Sequence, residues 1–474
     1  MANRTRRGVW TPLLGLLALS AMPAQVAAGP APRARSPWVT AYYAGWFWDR
    51  SPPEAIDMKA FTHLVFGRVA PGGGTLGGEP GELMPGAGTA HDRKVGPGAP
   101  ERSVEDYLIA RTHEAGGKVL LMLGGAGDGR GFVRSTESAG VRARFVQNLL
   151  RYLATHDYDG VDVDWEDSLD SPAQRELLLG FLRDLRAEAG LAPRFSPPRD
   201  PLLITFPGFG LNVNTDLPVS RWKVEVASLV DQYNLMTYGQ GAAYAGWKTW
   251  FFSALKGEGP STPTSVRSTV DGYVRAGVPR SKIGIGIGLY GMNYAPQPAW
   301  QASTGYQAGA VVLRGTRVYR SVRACVSGAG GPTGTGRGVE DGSCRWDFVD
   351  EMGPRRSLAT VGKEGLQLND FDWTYAVIER RYRAAGQYRW DEEAEQGYLL
   401  FPDGFQPVVP GSGASYARAG YLTFEDERSI AAKARYVREA GLGGVIVWAL
   451  NYGVTDAKTG ENPPLAAIRR SLLP

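Results

Sequence analysis

Two periodicities alternate along the chain. Short apolar runs rich in β-branched and aromatic residues recur at 38–45 (WVTAYYAG), 62–68, 118–124, 159–166, 202–207, 232–238, 282–289 and 444–450. Between them lie stretches whose apolar positions follow a helical period. Ser103 can cap a helix over 104–115, with Asp106 three residues on, and Gly116-Gly117 ends it. Over 141–155, Val141, Phe145, Leu149 and Leu153 stand four apart on one face. Strands alternating with helices predict βα units around a parallel sheet, and the eight runs found here match the count of an α/β fold, the (β/α)8 TIM barrel.

The alternation fails once. More than 150 residues separate the seventh and eighth runs, and the helix expected before the eighth, 426–440, needs only a small part of them. The pattern therefore divides the chain into strands one to seven (36–292), an inserted unit (299–350), the rest of the insertion (351–423), and a closing helix, strand and C-terminal helix (424–474). Composition supports this. Gly (63) and Pro (32) make up a fifth of the 474 residues, more than a helical bundle tolerates, and the run Gly328 to Gly342 is too polar for a core. A hydrophobic fraction of 43% excludes disorder, collagen and coiled coil as descriptions of the whole.

The first 28 residues read as an export signal: Arg4, Arg6 and Arg7, a short apolar stretch from Val9 to Met22, and small residues before Gly29. A membrane anchor is the competing reading, opposed by Pro12 and Pro23 in a run already too short to span. The expectation is a secreted, extracellular protein with no membrane partner after cleavage, expected to be a monomer. Removing a leader with three Arg and no acid lowers the formal charge from +4 to about +1. So small a charge argues against nucleic acid as a partner. Cys325 and Cys344 are the only cysteines, and in an exported chain they read as one disulfide, two buried thiols being the alternative. His63, His91, His113 and His156 have no metal-ligand spacing, so no zinc site is expected.

The candidate chemistry lies in Asp159-Gly-Val-Asp162-Val-Asp164-Trp-Glu166. Strand alternation puts Asp162, Asp164 and Glu166 on one face and Val161, Val163 and Trp165 on the other. In a barrel strand this is a column of acids rising to the C-terminal face, where such folds keep their sites. Packed carboxylates push at least one pKa upward, which favours a protonated Glu166 as general acid. Acids neutralised by basic partners, or a divalent-metal triad, are the other readings. Two further motifs carry nothing. Gly286-Ile-Gly288-Leu-Tyr-Gly291 fits GxGxxG but is followed by Asn293, Pro296 and Pro298 rather than a helix, and no GxSxG occurs.

At these residues the chain resembles glycoside hydrolase family eighteen, whose signature is DGxDxDxE on barrel strand four. The resemblance extends to Tyr42-Tyr43, to Asn234-Leu-Met236-Thr-Tyr238, to Gly288-Leu-Tyr290-Gly291, and to the stretch from Phe424-Glu-Asp426 through Ser429 and Lys433 to Trp448. It implies a chitinase-like glycosidase that cleaves β-1,4-linked N-acetylglucosamine polymers with retention and without a cofactor. Residue by residue, it implies that Glu166 protonates the glycosidic oxygen and Asp164 holds the acetamido nitrogen. Asp162 would share a proton with Asp164, and Tyr238 would steady the acetamido oxygen. Trp448, Tyr42, Met236 and Trp165 are the substrate-binding residues it suggests. Three positions depart from the pattern: Met122 replaces a serine, Gly239 an aspartate and Arg68 a phenylalanine.

The inserted segment Trp300-Gln-Ala-Ser-Thr-Gly-Tyr306, with Gly309-Ala-Val311, Gly315-Thr-Arg-Val-Tyr319 and Arg345-Trp346, resembles the small chitin-binding modules of carbohydrate-binding families five and twelve. This implies stacking roles for Trp300 and Tyr319, the alternative being that these aromatics are the core of a small β unit. The stretch from Trp390 through Tyr398 resembles the α+β insertion that walls a chitinase cleft. An endo-β-N-acetylglucosaminidase acting on N-glycans or peptidoglycan, and a non-catalytic chitin-binding lectin, are the remaining readings of the whole.

Overall fold

The computed structural model describes residues 36–85, 94–95, 102–262, 264–369, 371–408 and 417–473. The export signal and His91 lie outside them. Eight parallel strands close on themselves: β1 (Trp38–Ala44), β2 (His63–Pro71), β3 (Lys118–Gly124), β4 (Gly160–Asp164), β5 (Leu203–Gly208), β6 (Gln232–Leu235), β7 (Ile283–Gly288) and β8 (Gly444–Trp448). Each pairs with the next, and β8 returns to β1 with Trp38 opposite Gly444. A short strand, Leu83–Pro85, adds antiparallel to β2. The eight apolar runs are thus the eight barrel strands. The ladders of β4 and β6 end at Asp164 and Leu235, short of the 166 and 238 that the pattern predicts, leaving Glu166 and Tyr238 just above the rim.

Helices α1 (Val104–Glu114), α2 (Gly129–Thr136), α3 (Ala139–His156), α4 (Pro172–Ala189), α5 (Arg221–Leu229) and α6 (Val266–Arg275) lie on the outside. The Ser103 hydroxyl accepts from the Asp106 N–H, as its spacing predicts. Phe145, Leu149 and Leu153 of α3 are fully buried, so the fourfold repeat is the face applied to the barrel.

Below the barrel, the buried carboxylate of Asp159 accepts from the Val119 N–H at 2.9 Å and meets His113 Nε2 at 2.8 Å and Lys118 Nζ at 3.2 Å. His63 is held nearby by Thr62 and Gln232.

After β7 the chain leaves the barrel. Gly291–Pro296 enters a five-stranded antiparallel sheet ordered 361–367, 291–296, 419–424, 396–405, 387–391, beside α7 (Tyr375–Arg381). The strand Ala419–Phe424 leads into α8 (Glu427–Glu439) and then β8, and α9 (Pro463–Leu472) ends the chain. The excursion leaves the barrel after strand seven and returns before strand eight.

The inserted unit is a four-stranded sheet, ordered 311–314, 317–321, 344–351, 339–341, with a two-stranded ladder of 305–306 and 325–326 beside it. Cys325 and Cys344 are bonded, with Cα atoms 4.9 Å apart. Its core is Trp300, Val312, Tyr319, Cys344 and Trp346. Trp300 donates to Asp341 at 2.9 Å, the Arg314 guanidinium covers its ring, and a Cβ added at Gly331 would fall 3.3 Å from that ring. The glycine-rich run is therefore a cover for Trp300. This corrects the stacking roles suggested for Trp300 and Tyr319, whose rings are 8% and 0% exposed and spend their area on packing.

Candidate active site

The acid strand sits where three neighbours differ in what they offer it. Register places Met122 of β3 and Thr205 of β5 on either side of Asp162. Asp162 is fully buried; one oxygen accepts from the Tyr42 hydroxyl at 2.8 Å and the other from the Thr205 hydroxyl. Burial raises its pKa to about 6, held back by those two hydrogen bonds. Asp164, 4% exposed, is pushed well above the usual carboxylate range, first by burial and then by the charges of Glu166 and Asp162. Its Oδ1 is buried with no hydrogen-bond partner.

Glu166 is half-buried, and burial raises its pKa too, opposed by hydrogen bonding from Asp164 and from the Ala126 N–H. Burial therefore favours the protonated form throughout the acid column. The sequence favours Glu166 as the protonated member, and the resemblance pairs Asp164 with Asp162. Asp162 and Asp164 are both nearly inaccessible, 0% and 4% exposed, and both oxygens of Asp162 are already taken.

Above Asp164 opens a cavity of about 230 Å³ lined by Tyr42, Ala126, Asp164, Glu166, Pro207, Met236, Tyr238, Tyr290 and Trp448. Trp448 lies edge-on to Tyr42, with ring centroids 5.5 Å apart, and Tyr238 is edge-on to Tyr290 at 5.9 Å. The structure thus brings together Glu166, Asp164, Tyr238, Trp448, Tyr42 and Met236, with Asp162 directly beneath.

Trp165 is the correction. Its ring is fully buried on the outer face of the barrel, stacked on Phe132 at 4.6 Å and donating to the Asp167 carbonyl at 2.9 Å, so it cannot meet a ligand in the cavity. Alternation already puts it on that face.

Thr205, Pro207, Ala126 and Tyr290 went unnoticed as site residues. Thr205 and Pro207 stand two apart on β5, and register beside Asp162 is the signal that finds Thr205. Thr205 supplies a hydroxyl to the foot of the acid column, where Met122 offers only a thioether. Gly239, where the family has an aspartate, has φ +63°, a conformation that glycine adopts without a Cβ penalty. Among the described residues no group of three or more His, Cys, Asp or Glu side chains is arranged to hold a metal.

A chain with this barrel and this rim can be compared with known proteins. The model of glycosyl hydrolases family 18 matches residues 39–453. The chain belongs to this family. Among curated family-18-like relatives, Nod factor hydrolase protein 1 of Medicago truncatula is 24% identical over 428 residues, covering 86% of this chain and 84% of its own. Chitinase 1 of Aphanocladium album is 25% identical over 195 residues, covering 40% of this chain, and the match spans only 45% of that relative's length. The structure of human YKL-39, described as a pseudo-chitinase with retained chitooligosaccharide binding, superposes with a TM-score of 0.61 at 18% identity, over 92% of this chain and 100% of that one. At that identity the likeness shows the fold. The chain is thus similar to proteins named as a chitinase and a hydrolase and shares its fold with one described as a pseudo-chitinase, and the residues of the rim must argue between them.

Proposed function

We propose that this family-18 protein hydrolyses β-1,4-linked N-acetylglucosamine polymers with retention of configuration. The observation that carries the reading is Asp164 Oδ1, a buried acceptor with no partner, at the floor of a cavity shared with Glu166. A buried lone acceptor is costly unless a ligand satisfies it. An acetamido N–H is a donor of the right kind.

With that bond made, the acetamido carbonyl oxygen turns toward the anomeric carbon, and the Tyr238 hydroxyl at the cavity wall is placed to hold it. Glu166 then gives a proton to the glycosidic oxygen as the C–O bond breaks and the carbonyl oxygen bonds to the anomeric carbon. Glu166, now a carboxylate, takes a proton from a water that reopens the ring on the same face. Retention follows from the two displacements. This route uses the substrate's own nucleophile, an alternative to the two-carboxylate scheme. Trp448 offers an aromatic floor to the apolar face of the sugar.

The leader-like first 28 residues support secretion, in keeping with the disulfide, and among the described residues no helix is long and apolar enough to cross a membrane. The similar structure that retains chitooligosaccharide binding supports the choice of glycan.

The test is hydrolysis of N-acetylglucosamine oligomers by wild type and Glu166→Gln, with the first product's anomer read by proton NMR. The expected result is β-anomer from wild type and a loss of at least 100-fold in Glu166→Gln. Equal, negligible rates in both would overturn the enzyme reading in favour of a binding protein. Release of N-glycans alone would move the substrate.

A further inference from the structure

Next to the acid strand runs a turn built almost wholly of glycine, Gly124-Gly-Ala-Gly-Asp128. Gly124, Gly125 and Gly127 all have positive φ, at +89°, +137° and +89°. Contact with the acid strand is close: a Cβ at Gly124 would lie 2.8 Å from the Asp164 carbonyl oxygen, and one at Gly129 would lie 2.1 Å from Asp167 Oδ1. The turn grips that strand on both sides of Glu166. The Gly125 N–H donates to the Asp164 carbonyl at 2.8 Å, and the Gly127 N–H donates to Asp167 Oδ2 at 2.6 Å. Ala126, between them, lines the cavity and turns its N–H toward the Glu166 carboxylate.

A turn of this composition has little stiffness of its own. Its far end is fixed by Asp128, whose side chain is 1% exposed and accepts from Arg68 Nη1 at 2.7 Å and from Thr75 at 3.3 Å, while its N–H closes the turn onto the Gly125 carbonyl at 3.0 Å. Arg68 stands on β2, at the position where the family commonly has phenylalanine. The same guanidinium nitrogen and Asp164 Oδ2 are each 3.7 Å from the place a Gly125 side chain would occupy, with Met122 Cε at 3.2 Å, so the ion pair and the acids meet at this turn.

We infer that Arg68 and Asp128 are positioning residues for Glu166, acting through the 124–128 turn. The pair ties a flexible backbone to β2 and so fixes where the Ala126 N–H meets the Glu166 carboxylate. Neither residue touches the sugar. The inference rests on the proposed role of Glu166 as the acid, and its consequences fall on turnover and on Glu166 itself rather than on affinity.

The experiment compares wild type, Arg68→Met and Arg68→Lys by steady-state kinetics on N-acetylglucosamine oligomers and by carbon NMR titration of Glu166 in glutamate-labelled protein. The Glu166 resonance is assigned from its loss in Glu166→Gln. Arg68→Met is expected to lower kcat about tenfold with KM changed less than twofold, and to move the Glu166 titration upward because the Ala126 N–H no longer holds it down. Arg68→Lys, which restores a cation to Asp128, is expected to recover most of both. An unchanged kcat and an unchanged Glu166 titration in Arg68→Met would overturn the inference, whatever its melting temperature. If wild type cleaves no oligomer, the proposed function fails, and the Glu166 titration alone still decides this point.

Discussion

Thr205 and Met122 flank Asp162 from the two neighbouring strands, a hydroxyl on one side and a thioether on the other. The acid is therefore held by Tyr42 and Thr205, with apolar contact where family relatives have a hydroxyl. Thr205→Val removes one of two hydrogen bonds from a fully buried carboxyl. It should destabilise the fold by about 2 kcal/mol and raise the Asp162 pKa above its present value of about 6. Urea unfolding and the pH dependence of kcat measure the two effects. No change in either would mean that Tyr42 suffices.

Trp165, inside the acid run, and Trp448, at the cavity, should separate cleanly. Trp165→Ala empties a buried site against Phe132 and should cost about 3 to 5 kcal/mol of stability, with little effect on KM in the protein that still folds. Trp448→Ala, at the cavity floor, should raise KM by roughly tenfold, the equivalent of about 1.5 kcal/mol of stacking, with a small change in melting temperature. The opposite pattern would reassign the sugar platform.

His63 and His113 should contribute opposite slopes to the pH dependence of stability, superimposed on that of the buried acids. Burial depresses the His63 pKa from 6.5 to about 4. The unfolded chain therefore binds the extra proton between those values, and up to about 3 kcal/mol is lost as the pH falls from 6.5 to 4. His113 behaves oppositely: its hydrogen bond to Asp159 raises its pKa. That contribution is complete below 6.5 and disappears as the pH rises through the raised value. Urea midpoints at pH 4.5, 6.5 and 8, taken as differences between wild type and His63→Gln or His113→Gln, test the two contributions.

The disulfide closes a loop with a sequence separation of 19. Cys325→Ser with Cys344→Ser should cost the inserted unit about 3 kcal/mol in the chain-entropy account, exposing Trp300 and Trp346 to quenchers. Hydrolysis in the barrel should be untouched. Loss of activity with loss of the bond would show that the unit braces the cleft.

The barrel was legible because each βα unit writes its own period, and the acid column because alternation on one strand fixes which residues share a face. The insertion announced itself as a break in that rhythm. What sequence alone left open depends on neighbours distant in the chain. Thr205 matters only through its register with Asp162, and Trp300 only through the glycine run folded over it. The depth of burial along the acid column is likewise set by strands that the motif does not contain.

The neck of the insertion has a consequence for its size. Gly291 pairs with Phe424 and Met292 with Thr423, so the excursion leaves and rejoins the barrel at adjacent points. Once the ends are clamped together, doubling the length between them costs only about 0.6 kcal/mol of closure entropy. Loops beyond the clamp can therefore be lengthened at little cost to the ring of strands, so long as Trp373, Tyr375 and Ile378, which pack into the main core, are kept.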